Sequence, residues 1–124
     1  MTPYLLLDSI DCDGIEKALL FVDGVEVVPL LSSGGGVRQS AKNPKHFVIV
    51  LNDYHKDTEE LLETFVHEVL HIVLFVSFPL ADHEEYHPKI QEIAAQLVKG
   101  HHKRIRFIMS RYLSVEKFRQ MTAS

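Results

Sequence analysis

Thr64-Phe65-Val66-His67-Glu68-Val69-Leu70-His71-Ile72-Val73 is the stretch on which the reading of this 124-residue chain turns. Histidines four positions apart on a helix project from one face, one turn above the other, at a separation suited to a single metal ion. Glu68 follows the first of them and is rotated about 100° from it, so it stands beside such an ion without binding it. Projected as a helix, residues 61–76 are apolar around most of the circumference. The one polar sector holds Glu60, Thr64, His67 and His71. A helix of that kind is buried, and two imidazoles in its only polar strip need partners, because unpaired polar groups are costly away from water. Carboxylates in an ordinary core would serve. A divalent cation serves both rings at once, and neutral imidazole with oxygen or water suits zinc best among common metals, with nickel and cobalt as chemical substitutes.

Working outward, Asp57-Thr58-Glu59-Glu60 is a capping box with Asp57 at the N-cap, and it opens a helix expected to run to about Ser77 and to stop before Pro79. A second helix is expected to begin near Pro88, which fits a first helical position, and to stop at Gly100. The remaining tail, about 101–124, reads as helical from Lys103 to about Met121 with a break near Ser114. Upstream, His46 to Asn52 is the best strand in the chain, dense in β-branched and aromatic residues, with the Asn43-Pro44 turn before it. Val25 to Leu31 reads as a second strand, placed near a sheet edge by Pro29. Residues 13–22 present Ile15, Ala18, Leu19 and Val22 on one face and are expected to form a helix capped by Asp13. The rival is a hairpin pairing 18–22 with 25–31 across Asp23-Gly24. Tyr4 to Leu7 is too short to classify. The expected fold class is α+β, one domain over residues 1–124 with a short sheet packed on the buried helix.

Composition removes several function classes. Hydrophobic residues make up 46% and charged residues 24%, ordinary for a globular protein, and no run reaches the roughly 18 apolar residues of a membrane span. No basic region precedes the first apolar patch, and Asp8, Asp11 and Asp13 follow it, which argues against a secretory signal. The lone Cys12 has no internal disulfide partner and sits among carboxylates that raise its pKa, so a reducing, cytoplasmic setting is expected and a nucleophilic role is not. Ser32-Ser33-Gly34-Gly35-Gly36 lacks the spacing of a phosphate-binding loop.

A catalytic zinc takes three protein ligands and keeps one open position. The HExxHxxGxxH spacing is not met, since Leu74 and Ser77 occupy those places. The third ligand must come from farther on: Glu92 in the second helix, or one of His83, Glu84, Glu85 and His87 before it. Projection puts Glu92 nearly opposite the stripe Ile90, Ile93, Leu97 and Val98, compatible with facing the metal or facing water. His87, just before Pro88, reads as a ligand or as a cap.

The stretch from Thr64 to Val73 resembles the extended pattern of the zincin metallopeptidases, with uncharged, mostly apolar positions flanking the histidines. Together with the order of helix, strand, Gly-rich loop, strand and capped HExxH helix over about residues 13–99, it resembles compact gluzincin-type domains, including the ImmA/IrrE-like ones of bacteria and phages. The continuation Ile72-Val73-Leu74-Phe75 is more apolar than those families usually show, and the second-helix pattern departs from the ImmA/IrrE-like form. The resemblance implies Zn²⁺ held by His67 and His71 and completed by Glu92, with Glu68 as the general base that takes a proton from water and returns it to the leaving amine of a peptide or protein substrate. It also admits a pseudoenzyme that keeps the fold as an interaction domain.

The strand Phe47–Leu51 is a candidate cleft rim for strand addition by an extended peptide, or simply core. Tyr86, Tyr112, His101 and His102 are weaker candidates as oxyanion donors. A competing function begins from charge. Residues 1–98 carry 6 Lys and Arg against 16 Asp and Glu, whereas residues 99–124 carry 7 against one. The basic tail offers a nucleic-acid contact with a structural zinc, but Ile105, Ile108, Met109, Tyr112 and Leu113 form an apolar face of which the cations read first as the wet side.

Overall fold

The protein is α+β: five helices and a three-stranded mixed sheet, seen in a computed structural model that describes residues 1–29 and 33–122. The longest buried element, α3 (Thr58–Ser77), is the helix that carries both histidines and Glu68. Asp57 caps it by accepting the Glu60 N–H at 2.8 Å, and the Glu60 carboxylate accepts the Lys56 N–H. Each bond satisfies a main-chain donor at the helix start. Leu61, Leu62, Phe65, Val66, Val69, Leu70, Ile72 and Leu74 are fully buried. At roughly 1.5–3 kcal/mol per large aliphatic or aromatic side chain, that face holds the helix at the centre of the molecule.

The sheet lies against this helix. β3 (Phe47–Asn52) is central, flanked by β1 (Val22–Val28) in parallel and β2 (Gly35–Gln39) antiparallel. Its unbroken apolar run suits a strand paired on both sides, and of the two readings of Phe47–Leu51, a rim open to strand addition or simply core, that pairing leaves the core. β1 is an outer strand, as Pro29 implied. The far end of that expected strand, residues 30–31, and Ser32 of the glycine loop lie outside the described residues.

The N-terminal region departs from expectation. Pro3–Ser9 forms a short helix, α1, and Cys12–Ala18 forms α2. α2 is capped by Asp11, not Asp13, since the Asp11 carboxylate accepts the Gly14 N–H at 2.8 Å. A 3-10 turn over Leu19–Phe21 ends it, and β1 begins at Val22. Asp23-Gly24 is thus inside a strand, at a register shift, and makes no hairpin turn. The reason is long-range: the Asp23 carboxylate accepts bonds from Ser40 Oγ and from His46 Nδ1, the latter at 2.7 Å, which clasps β1 to the segment between β2 and β3.

α4 (His83–Met109) begins five residues before Pro88, capped by Asp82, whose carboxylate accepts the Glu84 N–H at 3.0 Å. Pro88 lies inside it. The expected stop at Gly100 survives as a kink, for His101 leaves helical geometry at φ −139° and ψ 38° before the helix resumes. Ser114 caps the last helix, α5 (Val115–Gln120). One apolar cluster runs from Leu7 through α3 and α4 to Met121. Among the described residues no helix is long and apolar enough to cross a membrane.

Candidate metal centre

α3 and α4 pack side by side, and the stripe Ile90, Ile93, Ala94, Leu97 and Val98 is buried along their contact. Burying that stripe fixes which other residues of α4 look toward α3. His87 stands about 60° around the helix from Ile90, at the border of the stripe, while Glu92 stands about 200° away. His87, Gln91 and Ala94 accordingly line a cleft of about 630 Å³ whose opposite wall is Thr64, His67, Glu68 and His71 of α3.

His67, His71 and His87 each offer a ring nitrogen, and the three atoms lie within 4.8 Å of one another. His67 Nε2 and His71 Nε2 are 3.1 Å apart. Two donors on a tetrahedral zinc, at bonds of about 2.0–2.1 Å, stand about 3.3 Å apart, so this pair needs almost no adjustment. His87 is exposed and free to close the remaining distance. Three imidazoles form a donor set suited to zinc.

Glu92 is elsewhere. Its carboxylate is 3.3 Å from Lys89 Nζ, itself 2.6 Å from Asp8 of α1, and its side chain is about half exposed. It does not line the cleft, and the third side chain brought to the pair is that of His87 rather than Glu92. The periodicity of α4 was legible, but a helix begun at Pro88 left His87 outside the projection and without a face.

Glu68 is 94% removed from solvent by its relative accessibility of 6%, lines the same cleft, and makes no side-chain hydrogen bond to the described residues. Desolvation alone pushes its carboxyl up to about 7. Its neighbour across the cleft is Gly35, the first residue of β2, which the glycine loop delivers there. Burial also drives the rings down, His67 to about 4 and His71 to about 3, with the other histidines of the cluster adding repulsion against a second charge. Both are therefore neutral at physiological pH, the form that donates a lone pair to a metal.

His83, one of the candidate ligands, lies behind the pair: its Nδ1 is 2.8 Å from Nδ1 of His71. Tyr86 packs edge-on against Tyr4 and Tyr112 against Phe65, and neither lines the cleft. Glu84, Glu85, His101 and His102 are exposed and also do not line it. In the basic tail Arg104 pairs with Asp13 and Glu16, Arg111 with Glu16, and Arg106 lies over the Phe118 ring. Compared with known protein families, curated proteins and solved structures, the chain matches none.

Proposed function

We propose that this chain is a zinc-dependent hydrolase of peptide bonds, of the zincin kind, with His67, His71 and His87 as metal ligands and Glu68 as general base. The observation that carries the reading is Glu68 itself. A carboxyl group 94% removed from solvent, with no side-chain hydrogen bond among the described residues and with its pKa near neutrality, is costly in a purely structural role and poised to take and return a proton at pH 7. It stands in the cleft that also holds three imidazoles, those of His67, His71 and His87. A divalent ion held by those rings would supply Lewis acidity toward a carbonyl and toward water.

The chain's own residues would do the rest. Glu68 accepts the proton of the attacking water and delivers it to the departing amine, and the apolar packing of α3 keeps its carboxyl desolvated so that its proton affinity stays near the working pH. Gly34 and Gly35, at the start of an outer strand, line the cleft and bring main-chain groups to its wall, which suits an extended peptide. Asp57, Glu59, Glu60 and Glu63 line it as well, against Lys56 as the one Lys or Arg among the described lining residues, so substrates carrying positive charge are favoured there. The buried lone thiol of Cys12 is in keeping with a reducing compartment such as the cytoplasm.

The alternative, a nucleic-acid-binding module with a structural zinc, draws less support, because Arg104 and Arg111 are engaged within the molecule and a structural site has no use for Glu68. The deciding experiment measures zinc content and hydrolysis of a mixed peptide library for the protein and its Glu68→Gln variant. One bound zinc in each, with cleavage only in the former, is expected. Equal cleavage by both, or cleavage by neither, sinks the assignment.

A further inference from the structure

His71 is held from both ends. One ring nitrogen, Nε2, meets His67 Nε2 at 3.1 Å; the other, Nδ1, meets His83 Nδ1 at 2.8 Å. A neutral imidazole has one N–H and one lone pair, so the bond made at one nitrogen dictates the role of the other. Were His83 to donate its Nδ1–H, His71 would have to carry its proton on Nε2, and no lone pair would face the metal cluster. The reverse arrangement leaves the His71 Nε2 lone pair pointing at His67 and His87.

We propose that His83 is the positioning partner of His71, accepting its Nδ1–H and so fixing the tautomer and ring plane in which Nε2 can hold a metal ion. The inference rests on the metal-binding reading above and extends it to a residue outside the ligand set. Three further features fit. The His83 ring is stacked on Phe75 at 4.0 Å between centroids with a 27° interplanar angle, and Phe75 is stacked on Phe47 of β3 at 5.6 Å, so the acceptor is braced against the sheet. The rings of His83 and His71 are themselves near-parallel, 19° apart in plane. The first turn of α4, which carries His83, is pinned by the Asp82 cap. Accepting at Nδ1 puts the proton of His83 on its Nε2, which is buried with no partner among the described residues; this unpaired N–H is the cost the arrangement carries. Metal-bound histidines ordinarily give their second N–H to a carboxylate, a main-chain carbonyl or water, the place that His83 Nδ1 takes here, and loss of such an acceptor typically weakens metal affinity about 10–100-fold.

The test uses the whole chain loaded with zinc alone. Scalar coupling across the N–H···N bond between His71 Nδ1 and His83 Nδ1, read by ¹⁵N NMR of the unmodified protein, is expected with the proton on His71. Its absence, or a proton on His83 Nδ1, overturns the proposal. In competition with a chromophoric chelator, His83→Phe keeps the stack on Phe75 but has no acceptor, and its zinc affinity should fall about 10–100-fold. His83→Asn places a carbonyl oxygen near the position of Nδ1 and should recover most of that loss. Unchanged affinity in the Phe variant overturns the positioning role while leaving the metal site standing. Failure of the unmodified protein to take up zinc sinks the metal reading itself.

Discussion

Glu68 and Gly35 stand so close across the cleft that a methyl group on the glycine would come within 3.2 Å of Glu68 Oε2 and 2.7 Å of the Val50 carbonyl oxygen. The second contact is with main chain and cannot be relieved by rotating a side chain. Gly35 is therefore required where β2 enters the sheet beneath α3, and it sets the wall against which the Glu68 carboxyl is desolvated.

Gly35→Ala should lower stability by about 1–3 kcal/mol, the range typical of overpacking. Gly36→Ala has open space around it and should be near neutral. Urea unfolding of the two variants side by side checks the contrast. Equal stability would mean that β2 does not approach Glu68 as described.

Replacing Glu68 with Gln keeps the shape of the side chain and removes its proton transfer. Peptide cleavage should fall at least about 100-fold, the usual scale of general-base loss, while zinc affinity stays within a few-fold. Stopped-flow assays paired with metal titration separate those two quantities.

The third ligand is decided by two alanine variants. His87→Ala removes one of three converging nitrogens and should weaken zinc binding by at least about 100-fold, whereas Glu92→Ala removes only a surface pair with Lys89 and should change it less than about twofold. The opposite ranking would return Glu92 to the site.

The metal-free protein should show opposing pH effects. His67 and His71 have folded-state pKa values of about 4 and about 3, against about 6.5 in an unfolded chain. As pH falls below 6.5 the unfolded chain takes up protons that the folded rings refuse, so these two groups remove stability on acidification and restore it as pH rises toward 6.5. His55 and His83, also lowered by burial, act in the same direction. Glu68 acts oppositely. With its folded pKa raised to about 7, the native state keeps a proton that the unfolded chain has released above about 4.5, so stability drains as pH climbs to 7. Two rings outweigh one carboxyl, so stability should rise from pH 4 to about pH 7 and level off there, with Glu68 blunting the rise. Denaturant midpoints between pH 4 and 8 test this, and Glu68→Gln, which removes the opposing group, should steepen the rise between about pH 4.5 and 7.

Much of the site is local and therefore legible in the chain. The spacing of His67, Glu68 and His71 needs only helical geometry to place them, and Asp57 with Glu60 announces where that helix starts, because a cap is satisfied by neighbours three or four residues away. The apolar girth of residues 61–76 foretells burial, and the run from Phe47 to Leu51 foretells a strand. Ser114 and the break after Gly100 are local features as well, although at Gly100 the helix bends and resumes.

Other features were decided only when distant segments met. Asp23-Gly24 has turn chemistry, yet Ser40 and His46 capture the Asp23 carboxylate and draw the dipeptide into a strand. Asp82 starts α4 a turn and more ahead of Pro88, which brings His83 and His87 onto the helix. Burial of Ile90, Ile93, Ala94, Leu97 and Val98 against the rest of the core then sets the exposed His87 at the cleft and leaves Glu92 to Lys89. Side-chain spacing along a helix is a property of the chain; which face of that helix loses its water depends on the partner it packs against, and only the assembled core supplies that partner.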